Sequence, residues 1–362
     1  MSTVSLYLHI PFCVQKCNYC AFYSLPGVEE EIKDKYLQAL MCQADSFPEH
    51  REVPSVYFGG GTPSLFGAKR LKAMLDYLRT RFFIREDAEI TLEVNPGTVD
   101  LPFLQMVRSA GFNRLSIGMQ SACNKELAFL GRIHTAEDVK ACVEDARKAG
   151  FDNVSLDLIF ALPGQSKEQL AESLRYAFSL QPEHLSVYSL QLEEGTPFFA
   201  RRDTLTFPSE EAEEEQYDLL CAMAREAGYE HYEISSFAKD GRYSRHNLHY
   251  WQRGEYLGFG PGAHSHWNGK RFSNLPDLQG YLQDPLGCND YKKAERIDET
   301  EMWEEDVLLG LRTSFGIPAH TVPAAPVERM IALGLMERNG DNVCLTERGW
   351  RVSNAVIGQL LL

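Results

Sequence analysis

Cys13, Cys17 and Cys20 stand in CxxxCxxC spacing just after an apolar run, Ser5-Leu-Tyr-Leu-His-Ile10. Three thiolates so close together can hold three irons of a 4Fe-4S cluster and leave the fourth iron open to a ligand that is not protein. Zinc is the main rival, because Cys17 and Cys20 alone form the CxxC half of a structural site, although no second CxxC exists to complete it. Disulfides fit poorly: the nine cysteines are an odd number, mostly irregularly spaced, and no secretory signal precedes them. Cys42, Cys123, Cys142, Cys221, Cys288 and Cys344 lie in helix and strand patterns and read as small buried hydrophobes.

Other residues with chemical use recur at a regular place. Short apolar strands are expected at Leu6 to Ile10, Ser55 to Phe58, Ile90 to Val94, Arg114 to Ile117, Val154 to Leu158 and His184 to Ser189. Helix stripes lie between them, such as Leu71, Met74, Leu75 and Leu78, and Thr135-Ala-Glu-Asp138 and Ser166-Lys-Glu-Gln169 read as capping boxes. Strands alternating with crossover helices imply a parallel α/β sheet, either open and doubly wound or a partial (β/α) barrel. In both, functional groups belong at the C-terminal ends of strands. Cys13, Gly59-Gly-Gly-Thr-Pro63, Glu93, Gln120, Asp157 and Tyr188 to Gln191 all fall there. Consecutive glycines let backbone approach a ligand, and the missing Gly-Lys-[Ser/Thr] ending excludes a Walker A loop. Glu93 and Asp157 suit an ammonium group or a ribose diol, and Arg132 a carboxylate. Together they describe a zwitterionic amino acid joined to a nucleoside.

Composition narrows the partners. The 362 residues carry a net charge of -15, with runs such as Glu210-Glu211-Ala212-Glu213-Glu214-Glu215, which argues against a nucleic-acid partner held by phosphate contacts. No stretch of 18 apolar residues exists, so a soluble, cytoplasmic protein without a transmembrane segment is expected.

The chain resembles the radical S-adenosylmethionine (SAM) superfamily and, within it, the family that unites oxygen-independent coproporphyrinogen dehydrogenase with the HemW heme chaperones. The resemblance rests on Tyr7-Leu-His-Ile-Pro-Phe-Cys13, Tyr57-Phe-Gly-Gly-Gly-Thr-Pro63, Glu93-Val-Asn-Pro96, Ser116-Ile-Gly-Met-Gln120, Gly131-Arg-Ile-His134, Asp157-Leu-Ile-Phe-Ala-Leu-Pro-Gly164 and Tyr232-Glu-Ile-Ser235. It implies a partial (β/α)6 barrel over residues 1–236 and a smaller C-terminal α+β domain over 237–362. It also implies SAM bound at the open iron, with Gly60, Gly61, Thr62 and Glu93 holding its methionine portion and ribose. Gln120, Arg132 and Asp157 would complete the site, with Tyr7 near the cluster or the adenine. One electron from a donor would cleave SAM to methionine and a 5′-deoxyadenosyl radical, chemistry that belongs to the cofactor.

Within the family the dehydrogenase branch has a fourth cysteine, CxxxCxxCxC, where this chain has Phe22, and a long extension before the cysteines, where Cys13 here follows twelve residues. Both departures match the HemW branch, which implies heme as a ligand, heme-accepting proteins such as respiratory enzymes as partners, and room for a homodimer. His246-Asn-Leu-His-Tyr-Trp251 has the HNxxYW pattern of that branch. It makes His246 the expected axial ligand of heme iron, with His249 in reserve and Tyr250 or Trp251 stacking on the porphyrin. The bland alternative is a His-Asn pair that satisfies backbone where two domains meet. A metal site on His264-Ser-His266 and a dinucleotide site on Gly258-Phe-Gly-Pro-Gly262 have weaker support from spacing. A helix over 326–333, a hairpin with its turn at Asn339-Gly340, and a helix from about Glu347 read as winged-helix-like. DNA binding follows as a hypothesis that the acidic balance opposes.

Overall fold

The computed structural model describes residues 3–47, 51–292, 294 and 296–361. All six expected strands are present: β1 (Val4–Ile10), β2 (Glu52–Gly60), β3 (Phe83–Val94), β4 (Arg114–Gln120), β5 (Val154–Phe160) and β6 (His184–Ser189). They pair in parallel, in sequence order, through β6. Each strand alternates, which explains why the chain chooses this shape. In β4, Leu115, Ile117 and Met119 share one core with helix residues Leu71, Leu75, Leu104 and Val143. Arg114, Ser116, Gly118 and Gln120 take the opposite face and line the barrel's lumen. The crossover helices bury one apolar stripe apiece, and both expected capping boxes form, at Thr135 with Asp138 and at Ser166 with Gln169.

The sheet runs on beyond the sixth strand. β7 (Glu230–Glu233), β8 (Ser236–Ala238), β9 (Glu255–Phe259), β10 (His264–Trp267) and β11 (Lys270–Ser273) complete the order β11-β10-β9-β1-β2-β3-β4-β5-β6-β8-β7. β9 lies parallel to β1, whereas β8 is antiparallel to β6. A domain boundary at 236/237 therefore passes through a strand of this sheet. The alternation of strand and helix stops near Phe237 because the added strands are short and mostly antiparallel, yet the first body continues.

A separate core gathers Val307, Leu311, Ile317, Val327, Met330, Val343, Leu345, Trp350 and Ile357. It contains the expected helix (Ala324–Ala332), the hairpin (Met336–Asn339 with Asn342–Leu345) and the helix Glu347–Arg351, with Ile317–Pro318 as a third strand. Among the described residues no helix is long and apolar enough to cross a membrane.

Candidate cluster and SAM site

A cavity of about 840 Å³ occupies the barrel's lumen. Cys13, Cys17, Cys20, Gly60, Gly61, Thr62, Glu93, Gln120, Arg132 and Asp157 all line it. Of the residues expected around SAM, Tyr7 alone lies outside the lining. Its hydroxyl meets His9 Nδ1 at 3.2 Å, and its ring stacks on Tyr57 at 6.2 Å.

The cysteine loop is pinned at several points. Phe12–Cys13 pairs with Leu25–Pro26, Asn18 N donates to Leu130 O at 3.0 Å, and Gln15 Nε2 donates to Gly131 O at 3.0 Å. Among the described residues no three His, Cys, Asp or Glu side chains converge closely enough to share one ion. A 4Fe-4S cube places each thiolate on a different iron, so three half-buried sulfurs spread along one loop suit it better than they suit a single zinc. Thr62 Oγ1 lies 3.6 Å from Cys13 Sγ, and Arg132 Nη1 lies 3.6 Å from Cys17 Sγ. Close approach also dictates Gly61, where an added Cβ would sit 2.8 Å from Phe12 O and 3.0 Å from Cys13 Sγ.

Deeper in the lumen stand two carboxylates. Glu93 accepts from Tyr57 Oη at 2.8 Å and from Gly60 N at 3.1 Å. Asp157 accepts from Ser116 Oγ at 3.0 and 3.1 Å. Burial pushes Glu93 up to about 7 and Asp157 up to about 6, because a charge there has given up water. A ligand carrying an ammonium or sulfonium charge would return both to the ionised form, which is what a cation site requires.

Arg132 is held where a carboxylate clamp is useful. Its Nη2 donates to Asn95 Oδ1 and, at 3.0 Å, to Gly118 O, while Asn95 Nδ2 donates to Thr62 Oγ1 at 2.8 Å. Asn95, Gly118, Tyr57, Ser116 and Tyr188 had no assigned role in the sequence reading. The signal was available for all of them, since Tyr57, Asn95, Ser116 and Gly118 lie inside the quoted segments and Tyr188 lies at the end of an expected strand. A Cβ on Gly118 would meet Asn95 Oδ1 at 2.8 Å and Gln120 Nε2 at 2.9 Å. Gln120 itself adopts φ +65° after a register shift in β4, a strained conformation found where a side chain must be aimed.

His246 meets a closed environment. It is the second residue of the helix Arg245–Trp251, which packs against β2, and it is 1% exposed. Its Nδ1 is 2.8 Å from Ser55 Oγ, its Nε2 is 2.7 Å from Tyr250 Oη, and its ring stacks on Tyr57 at 5.0 Å. Neither nitrogen is free to take an iron unless one of those bonds breaks. His249 is engaged through Nε2 with Glu255 O at 2.7 Å. From the same segment it is Asn247, Tyr250 and Trp251 that line the cavity. Phe22, where the dehydrogenase branch has its fourth cysteine, is 66% exposed at the rim.

The description of the radical SAM superfamily matches residues 7–177, and that of the HemN C-terminal domain matches residues 297–352. The second match coincides with the separate C-terminal core. The heme chaperone HemW of Mycobacterium tuberculosis is 36% identical over 98% of this chain and 94% of its own. That of Bacillus subtilis is 34% identical over 99% of each, and that of Escherichia coli 42% identical over 72% of this chain and 69% of its own. Among solved structures, the radical SAM enzyme coproporphyrinogen III oxidase (HemN) of Escherichia coli superposes with a TM-score of 0.84 at 25% identity, covering 99% of this chain and 90% of that one. With its thiol rim, glycine cradle and paired carboxylates in one lumen, the chain belongs to the HemW heme chaperone family of the radical SAM superfamily.

Proposed function

We propose that this protein is a heme chaperone that carries a 4Fe-4S cluster and SAM, binds heme, and hands it to heme-accepting proteins such as respiratory enzymes in the cytoplasm. The observation that supports this most is the continuity of the cavity, which joins Cys13, Cys17 and Cys20 to Tyr250 and Trp251 in one volume. In this reading the three thiolates hold the cluster. Gly60 and Gly61 let the backbone approach SAM, Glu93 and Asp157 face its positive charge, and Arg132, steadied by Asn95 and Gly118 O, turns toward its carboxylate. A reduced cluster with SAM supplies one-electron cleavage chemistry when both are bound. The aromatic pair gives a flat apolar ligand a face to lie on. Hemin titration of anaerobically reconstituted protein, followed by absorbance, is expected to saturate; a response that never saturates removes the heme-binding claim.

A second reading, an oxygen-independent coproporphyrinogen dehydrogenase or another radical SAM enzyme on a tetrapyrrole, is favoured by the whole-chain superposition on HemN. Phe22 in place of the fourth cysteine counts against it. The two readings divide on whether a porphyrin leaves the protein changed.

A further inference from the structure

Arg114 is the first residue of β4 and one of the largest fully buried side chains, 2% exposed. It lines the lumen, yet among the described residues its guanidinium has no hydrogen bond or ion pair, and Nε is fully occluded without a partner. Its neighbours explain why. At the base of the barrel Ser5 bonds Ser55, which bonds His246, which bonds Tyr250. Ser155 bonds His184, which bonds Tyr232, whose oxygen also accepts from Ser244 N. These groups bond one another, and none of their bonds reaches Arg114. Asp157 and Glu93 feel the charge of Arg114 but are hydrogen-bonded by Ser116, Tyr57 and Gly60 N, and neither bonds the guanidinium directly. A buried guanidinium without an acceptor is costly, and its open side is the cavity, where a ligand can accept from it.

The group that fits a planar, permanently charged fork is a carboxylate. Two carboxylates could supply it: that of SAM's methionine, and a propionate of heme. Gln120, at the cysteine end of β4, lies six residues from Arg114, a span of roughly 20 Å at the rise of a strand. A SAM carboxylate clamped by Arg132 at the cysteine rim leaves Arg114, whose charge acts on Glu93 and Asp157, without a carboxylate of the ligand. Ser186, Glu233, Asn247, Tyr250 and Trp251 line the same cavity as Arg114 and include the aromatic pair.

We infer that Arg114 is the anion pole of a second subsite in the lower lumen, where it pairs with a propionate of bound heme. The inference rests on the heme-binding reading above. Its test compares hemin with hemin dimethyl ester on reconstituted wild-type protein and on Arg114→Gln. Esterification is expected to weaken wild-type binding about tenfold to a hundredfold, and the variant's binding by less than about threefold. An equal ester penalty in both proteins overturns the inference while leaving heme binding in place. Absence of saturable hemin binding by the wild type overturns the chaperone reading and this assignment with it. SAM and decarboxylated SAM, run on the same two proteins, separate the other source: a carboxylate preference that disappears only in Arg114→Gln would assign Arg114 to SAM and overturn the propionate. Should the Gln variant fail to fold, Arg114→Lys replaces it. That variant keeps the charge without the fork and is expected to retain only a few-fold ester penalty, an undiminished penalty again overturning the inference.

Discussion

The cysteine end of the barrel lumen and the buried layer beneath its base both hold potential ligands and treat them in opposite ways. At the cysteine end the strong groups are left open: three thiols, two carboxylates lifted toward neutrality, and a guanidinium steadied on one side. At the base the imidazoles of His184 and His246 each have both nitrogens bonded to hydroxyls. A chain can therefore carry good metal ligands both in a cavity and in the layer beneath it and leave only one set open to a ligand. What separates them is whether the surrounding hydrogen bonds are already complete.

The comparison breaks most visibly at the thiols. Replacing Cys13, Cys17 and Cys20 by Ala should abolish iron and acid-labile sulfide after anaerobic reconstitution; retained iron would place the cluster elsewhere. Glu93→Gln is expected to lower SAM affinity by about thirtyfold to a hundredfold in calorimetry, since a buried charge-assisted contact is lost. The same change should stabilise the empty protein above pH 7. The carboxyl ionises near 4.5 ordinarily and near 7 in the fold, so the folded state binds more protons between those values and stability falls as pH rises through them. Removing the group removes that loss, on the order of 3 kcal/mol at most.

His246→Ala probes the closed end. It should cost about 2–4 kcal/mol in a urea melt, by leaving Ser55 and Tyr250 without their partner and opening a void, while the hemin titration stays as in the wild type. A lost heme spectrum with intact folding would show that His246 opens to ligate. SAM affinity of the wild type should rise with pH through about 6 and about 7, as Asp157 and Glu93 ionise to meet the cation; a flat profile would detach both residues from SAM. Smallest of all, Phe22→Ala at the exposed rim is expected to change stability by less than about 0.5 kcal/mol.

Much of the open end was legible in the sequence because its residues recur at one structural place, just past a strand. Cys13, Gly60, Gly61, Thr62, Glu93, Gln120, Arg132 and Asp157 could be gathered on one rim before any coordinates, and the strands and capping boxes that carry them follow from local patterns. The closed end was illegible for the converse reason. His246 looks like a ligand when its neighbours in sequence are read, and its bonds to Ser55 and its stack on Tyr57 come from a strand nearly two hundred residues away. Arg114 reads as an ordinary strand-end charge until its burial is known. Asn95 is one more loop residue until Arg132 and Thr62 are placed beside it. The boundary near 237 marks a change in the rhythm of elements, which is visible in sequence, whereas the continuation of a sheet across it is not.

The chaperone claim is tested most directly by anaerobic incubation of the reconstituted protein with coproporphyrinogen III, SAM and a reductant, with the tetrapyrrole analysed afterwards. The tetrapyrrole is expected back unchanged, whether or not SAM is consumed. Formation of protoporphyrinogen would contradict the account and make the lumen that of a dehydrogenase.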